Sequence, residues 1–78
     1  IMRKRYSLVK MLDGIRTMSD FNRAIAELSY IKNQLPNDAR VSLAFEGSCF
    51  DLCFTIVPKD KDDRKYYKSI GFSYDYKD

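Results

Sequence analysis

The stretch RVSLAFEGSCFDLCFTIV, residues 40 to 57, decides the fold. Two alternating runs meet at Gly47-Ser48, and a two-residue loop that begins with Gly suits the primed turns of a tight hairpin, because Gly accepts positive φ without a steric cost. With Gly47 and Ser48 as the loop, Glu46 faces Cys49, Phe45 faces Phe50, Leu43 faces Leu52 and Val41 faces Phe54. The apolar members of these pairs share one face. Ala44 beside Asp51, Ser42 beside Cys53 and Arg40 beside Thr55 make the other. Both strands therefore agree on one register, since a slip by one residue would exchange the two faces.

Working towards the N-terminus, Phe21, Ala24, Ile25, Leu28, Ile31 and Leu35 keep a 3.6-residue period, capped by Thr17 or Ser19 and stopped by Pro36. Asp20 in the first turn suits the helix dipole, and Asn37-Asp38 makes the turn into the first hairpin strand. The stripe is expected to lie on the hairpin face of Val41, Leu43, Phe45, Phe50, Leu52, Phe54 and Ile56, with Leu28 close to Phe54. Earlier still, Leu8, Met11, Leu12 and Ile15 fall at i, i+3, i+4 and i+7, and Asp13-Gly14-Ile15 reads as a helix stop, which predicts a short helix. The competing reading is a strand, with Tyr6, Leu8 and Leu12 on one face and Val9 and Met11 on the other, its alternation broken by Lys10.

Beyond Pro58 the charged run KDKDDRK reads as a solvated loop. Ile70, Phe72, Tyr74 and Tyr76 then alternate with Gly71, Ser73, Asp75 and Lys77, which predicts a third strand beside residues 49 to 57. Tyr66 and Tyr67 open that strand early or sit on a turn of helix. The expected fold is a single α+β domain over residues 2-78, α-α-β-β-β, with helices on one face of a three-stranded antiparallel β-meander. The alternative order is β-α-β-β-β. The first layout resembles the small ribosome-dependent toxin nucleases in architecture alone, without a matching motif.

Composition bounds the function. A chain of 78 residues with 45% apolar and 32% charged residues can bury one modest core. Ile1 precedes Met2 and reads as a leftover residue ahead of the natural start, the other reading being a fragment of a longer chain. Arg3-Lys4-Arg5 leads into no apolar run long enough for a signal peptide, and no stretch suits a membrane span, so a cytoplasmic location is expected. Cys49 and Cys53, four apart on one strand, are separated by roughly 13 Å, beyond disulfide reach, and read as reduced thiols.

The chain contains no histidine, which removes the commonest general base and the usual nucleophile systems. Cys49, Asp51 and Cys53 line one strand face but are too widely spaced to share a metal. Asp60, Asp62 and Asp63 lack the Gly and distal Glu of a calcium loop, Gly47-Ser48 lacks the glycines of a phosphate loop, and no spacing pairs Glu46, Asp51 and Asp75 for acid-base work. The reading is a protein that is not an enzyme, with no catalytic residues, metal, cofactor or small-molecule substrate. The net charge of +3 is concentrated near the N-terminus.

Two binding readings remain. In the first, Val41, Ser42, Leu43, Ala44 and Phe45 form a smooth edge strand for a protein partner or a second copy, as in an accessory or phage-type inhibitor acting by occlusion or strand pairing. It fails if residues 4 to 12 form a strand that covers this edge. In the second, Arg3, Lys4, Arg5, Lys10 and Arg16 meet phosphates while Tyr66, Tyr67, Tyr74 and Tyr76 stack on bases.

Overall fold

The computed structural model describes residues 4–47 and 49–74. Its elements run β1 (Tyr6–Leu12), α1 (Met18–Asn33), β2 (Arg40–Glu46), β3 (Cys49–Ile56), α2 (Lys61–Ser69) and β4 (Ser73–Tyr74). The class is mixed α+β with an antiparallel sheet in the order β2-β3-β1-β4. The order β-α-β-β-α-β replaces the expected α-α-β-β-β, and a four-stranded sheet replaces the three-stranded meander. The layout of helices followed by a meander, and the likeness built on it, fall with that change.

The hairpin has the register read from its alternation, from Arg40 opposite Thr55 to Glu46 opposite Cys49. Gly47 supplies the turn's positive φ at 63°. The largest correction is at β1, which is a strand and not a helix. Tyr6 lies opposite Ile56 and Leu8 opposite Phe54, so β1 completes the backbone bonding of β3 on the side away from β2. That tertiary pairing overrides a helical spacing that arose by coincidence. Lys10, which broke the alternation, is accommodated because its ammonium reaches Glu27 of α1, leaving the stem on the covered face. Gly14 does take a left-handed φ of 68°, but it turns the chain from strand into α1.

Thr17 caps α1 in a reciprocal box: its Oγ1 accepts from the Asp20 N–H at 3.2 Å, and Asp20 Oδ2 accepts from the Thr17 N–H at 3.2 Å. Asp20 also accepts from the Arg16 N–H, and that bond, followed by those from Thr17, holds its carboxyl below the usual range.

The charged run after Pro58 contains the start of α2 instead of a loop. Asp60 is its N-cap, accepting from the Asp63 N–H at 2.9 Å, and Asp62 and Asp63 occupy the first turn, where the dipole favours them. The helix ends in a Schellman motif, with the Phe72 N–H donating to the Tyr67 carbonyl at 3.0 Å and the Gly71 N–H to the Lys68 carbonyl at 3.2 Å. Tyr67 and Phe72 make the accompanying apolar contact, rings 5.6 Å apart and edge to face. Gly71 at φ 110° is thus the residue that reverses the chain, not a strand position. Among the described residues, Ser73–Tyr74 of the expected third strand form β4, which pairs with β1 rather than β3. Tyr76 and Asp75 lie outside the described residues.

The core is Tyr6, Phe54, Ile56 and Phe72. Leu28, Ile31 and Leu35 pack on it from the α1 side, and Tyr67 and Ile70 from α2, so both helices serve one face of the sheet. Tyr66 Oη donates to Gln34 Oε1, joining α2 to the C-terminal cap of α1. Neither helix is long and apolar enough to cross a membrane.

Candidate protein-interaction surface

β2 is an outer strand of the sheet among the described residues, because β1 joined the opposite side of β3. The covering strand that would have disposed of the edge does not lie there. A two-residue loop closes on a hydrogen-bonded pair, here Glu46 and Cys49, and antiparallel bonding alternates from that point. Ser42 and Ala44 therefore direct their N–H and C=O groups towards β3, and Val41, Leu43 and Phe45 direct theirs outward. Edge strands are ordinarily blunted by Lys, Pro or a bulge. β2 is seven residues of unbroken ladder, RVSLAFE, with none of these.

The side chains along that edge are as open as its backbone. Val41, Leu43 and Phe45 keep 59, 53 and 69% of their surface in solvent, although they occupy the same face of the sheet as buried Phe54 and Ile56. This corrects the expectation that α1 covers the whole hairpin face. The contact between Lys10 and Glu27, with Leu28 and Ile31 packed on the cluster that holds Phe54 and Ile56, places α1 over β1 and β3. At about 100° per residue, Phe21 and Ile25 fall on the shoulder of α1 opposite Glu27, and both are exposed. Val41, Leu43, Phe45 and Phe50 thus form an uncovered apolar shelf on the hairpin, and Phe21 and Ile25 are left exposed on that shoulder of α1. Phe45 and Phe50 stack edge to face across the hairpin, ring centres 4.7 Å apart.

The pattern of these shelf residues predicts core positions, because alternation reports which face is apolar but not how far a helix reaches across it. A usable signal was present in α1. Its innermost stripe of Leu28, Ile31 and Leu35 is narrow, whereas the hairpin offers apolar residues along both strands.

The opposite face of the sheet is occupied by Ser7, Val9 and Met11 of β1, Asp51, Cys53 and Thr55 of β3, and the small residues of β2. Val9 and Met11 are exposed. Ser7 Oγ and Thr55 Oγ1 lie 3.5 Å apart, and Cys53 Sγ lies 3.9 Å from the same hydroxyl. Cys49 and Cys53 are free thiols, and no cluster of metal-ligating side chains occurs among the described residues. One carboxylate oxygen of Asp51 is shut from solvent without a hydrogen-bond partner among them.

A cleft of about 380 Å³ opens where β2 begins, β3 ends and α2 starts. Arg5, Arg40 and Lys59 line it together with Asp38, Asp63 and Tyr67, a mixture that presents no single sign of charge to a ligand. Burial first, then the nearby Asp63 carboxylate, pushes the Tyr67 phenol up from its ordinary value.

Among the described residues the basic and tyrosine side chains lie in several parts of the fold. Lys4 lies 5.3 Å above the Tyr74 ring, and Tyr74 in turn stacks on Tyr6 at 5.7 Å. Those contacts occupy the ring that base stacking would need. Arg5 lies in the cleft, Lys10 is paired with Glu27, and Arg16 lies past the far end of β1. Tyr66 and Tyr67 sit on α2 with their rings packed edge to face. Arg3 and Tyr76 lie outside the described residues. Compared with protein-family models, curated proteins and solved structures, the chain matches none.

Proposed function

We propose that the chain is a non-enzymatic protein-binding module that receives an extended strand of a partner along β2, as an accessory or inhibitory protein acting by occlusion would. The observation that carries this reading is the outer position of β2, a seven-residue strand without Lys, Pro or a bulge. Backbone hydrogen bonds along Val41, Leu43 and Phe45 would supply affinity, and the apolar shelf beside them would select side chains. Small Ser42 and Ala44 leave the other face of the edge open to a close approach. A nucleic-acid function has less support, because the charges and tyrosines it would use are dispersed or already in contact with one another.

A Leu43→Pro exchange tests the proposal. Proline removes an N–H that points away from β3, and an outward edge position is where a sheet tolerates it. Wild-type and variant protein are used to capture partners from the native host, with and without nuclease treatment. The expected result is a protein retained by the wild type, insensitive to nuclease, and lost with a folded Leu43→Pro variant. Retention of nucleic acid by both proteins would overturn the reading in favour of the basic N-terminal residues.

A further inference from the structure

We propose that the strand received by β2 is the β2 strand of a second copy, in a two-fold antiparallel pairing centred on Leu43. This rests on the reading of β2 as the binding edge and adds the identity of the occupant and its register.

Two conditions restrict the pairing. Residues whose backbone groups point outward must face residues of the same kind, so Val41, Leu43 and Phe45 face their own set and Ser42 and Ala44 face theirs. The pairing must also avoid placing like charges opposite one another. Centring on Leu43 satisfies both. Val41 then lies opposite Phe45 of the second copy, Leu43 opposite Leu43, Ser42 opposite Ala44 and Arg40 opposite Glu46. All seven residues of β2 are matched, apolar with apolar, small with small, and cation with anion at both ends. Centring on Ser42 instead sets Glu46 against Asp38 and loses the match at Phe45. Centring on Ala44 sets Arg40 against the loop residue Ser48. The strand is therefore complementary to itself in one register.

Facing residues in an antiparallel pair project to the same side of the sheet. Val41, Leu43 and Phe45 of both copies would come together on the helix side, joining the two exposed shelves into one apolar floor. On the order of six inter-chain backbone bonds form, two for each facing pair of outward residues. The resulting sheet has eight strands, with both β2 edges consumed.

The test is the sedimentation behaviour of wild type, Arg40→Glu and the double exchange Arg40→Glu with Glu46→Arg, each checked for native circular dichroism. The expected result is a wild-type dimer, an association weakened about tenfold or more in Arg40→Glu as two opposite-charge pairs become like-charge pairs, and recovery in the double exchange. A wild type that stays monomeric up to about 1 mM overturns the proposal. So does a dimer indifferent to Arg40→Glu, or a folded double exchange that fails to recover. Failure here is distinguishable from failure of the edge reading: a monomer that still loses a captured protein on Leu43→Pro removes only the second copy as occupant.

Discussion

Phe54 and Phe45 stand on the same face of the same hairpin, and truncating each to Ala should cost very different amounts. Phe54 is 7% exposed among Tyr6, Ile56 and Phe72, with Leu8 and Val41 opposite it on the two neighbouring strands. Phe54→Ala removes a full ring's burial and leaves a cavity walled by three strands, at about 3–5 kcal/mol. Phe45 is 69% exposed, so little burial is lost and the main contact removed is its ring pair with Phe50. Such a pair contributes about 0.5–1.5 kcal/mol, and Phe45→Ala should cost about 1 kcal/mol. A domain of this size has a total stability of about 4–12 kcal/mol, so the first exchange threatens folding and the second does not. Urea titrations followed by circular dichroism measure both losses, and in thermal scans each kcal/mol lost should lower Tm by about 4–8 °C. Equal losses in dilute monomer would refute the argument, because they would mean that Phe45 is as enclosed as Phe54 and that no apolar shelf is open.

Gly71→Ala should destabilise by at least about 1–2 kcal/mol, since φ is 110° there and the added Cβ would come within 3.3 Å of Leu8 Cδ1; an unchanged denaturation midpoint would remove the Schellman motif from the account. Lys10→Leu should leave stability unchanged or raise it by up to about 1 kcal/mol, because Leu8 and Leu12 already share its face and the Glu27 pair it gives up is partly exposed. A loss above about 1 kcal/mol would place Lys10 on the other face. Asp20 is held below its ordinary pKa by its backbone partners, so the stability it contributes is present above about pH 4 and lost as pH falls through the lower folded value. Asp20→Asn should therefore flatten the acid limb of a pH-stability profile below pH 4, and a limb unchanged by the exchange would show that the capping box is not formed in solution.

The hairpin and α1 were legible because each repeats one period without interruption. Cross-strand register followed from the rule that a slip exchanges faces, and the pairs from Arg40–Thr55 to Glu46–Cys49 obey it. Residues 6 to 12 were legible only as a choice between two periods. Leu8, Met11 and Leu12 satisfied the helical one by chance, and the partner that decides for strand, β3, lies far along the chain, beyond both α1 and β2. Lys10 counted against the strand for want of knowledge of Glu27 on a later element.

α2 was hidden for a different reason. It is short and highly charged, and its apolar anchoring at Tyr67 and Ile70 is too sparse to show a period. Its ends were nevertheless encoded, in Asp60 three residues before Asp63 and in Gly71 followed by Phe72. Of the candidate surface, the smooth edge could be read directly from Val41 to Phe45. Its exposure could not, because that depends on β1 choosing the far side of β3 and on α1 following β1.

Amide hydrogen exchange resolved to single residues of β2 tests the account most directly. Ser42 and Ala44 donate towards β3 and should be protected at every protein concentration. Val41, Leu43 and Phe45 donate outward and should exchange freely in dilute monomer, then become protected as concentration rises and a second copy pairs along the edge. Strong protection of all five in dilute monomer would contradict the account, since it would mean that another part of the chain already covers β2.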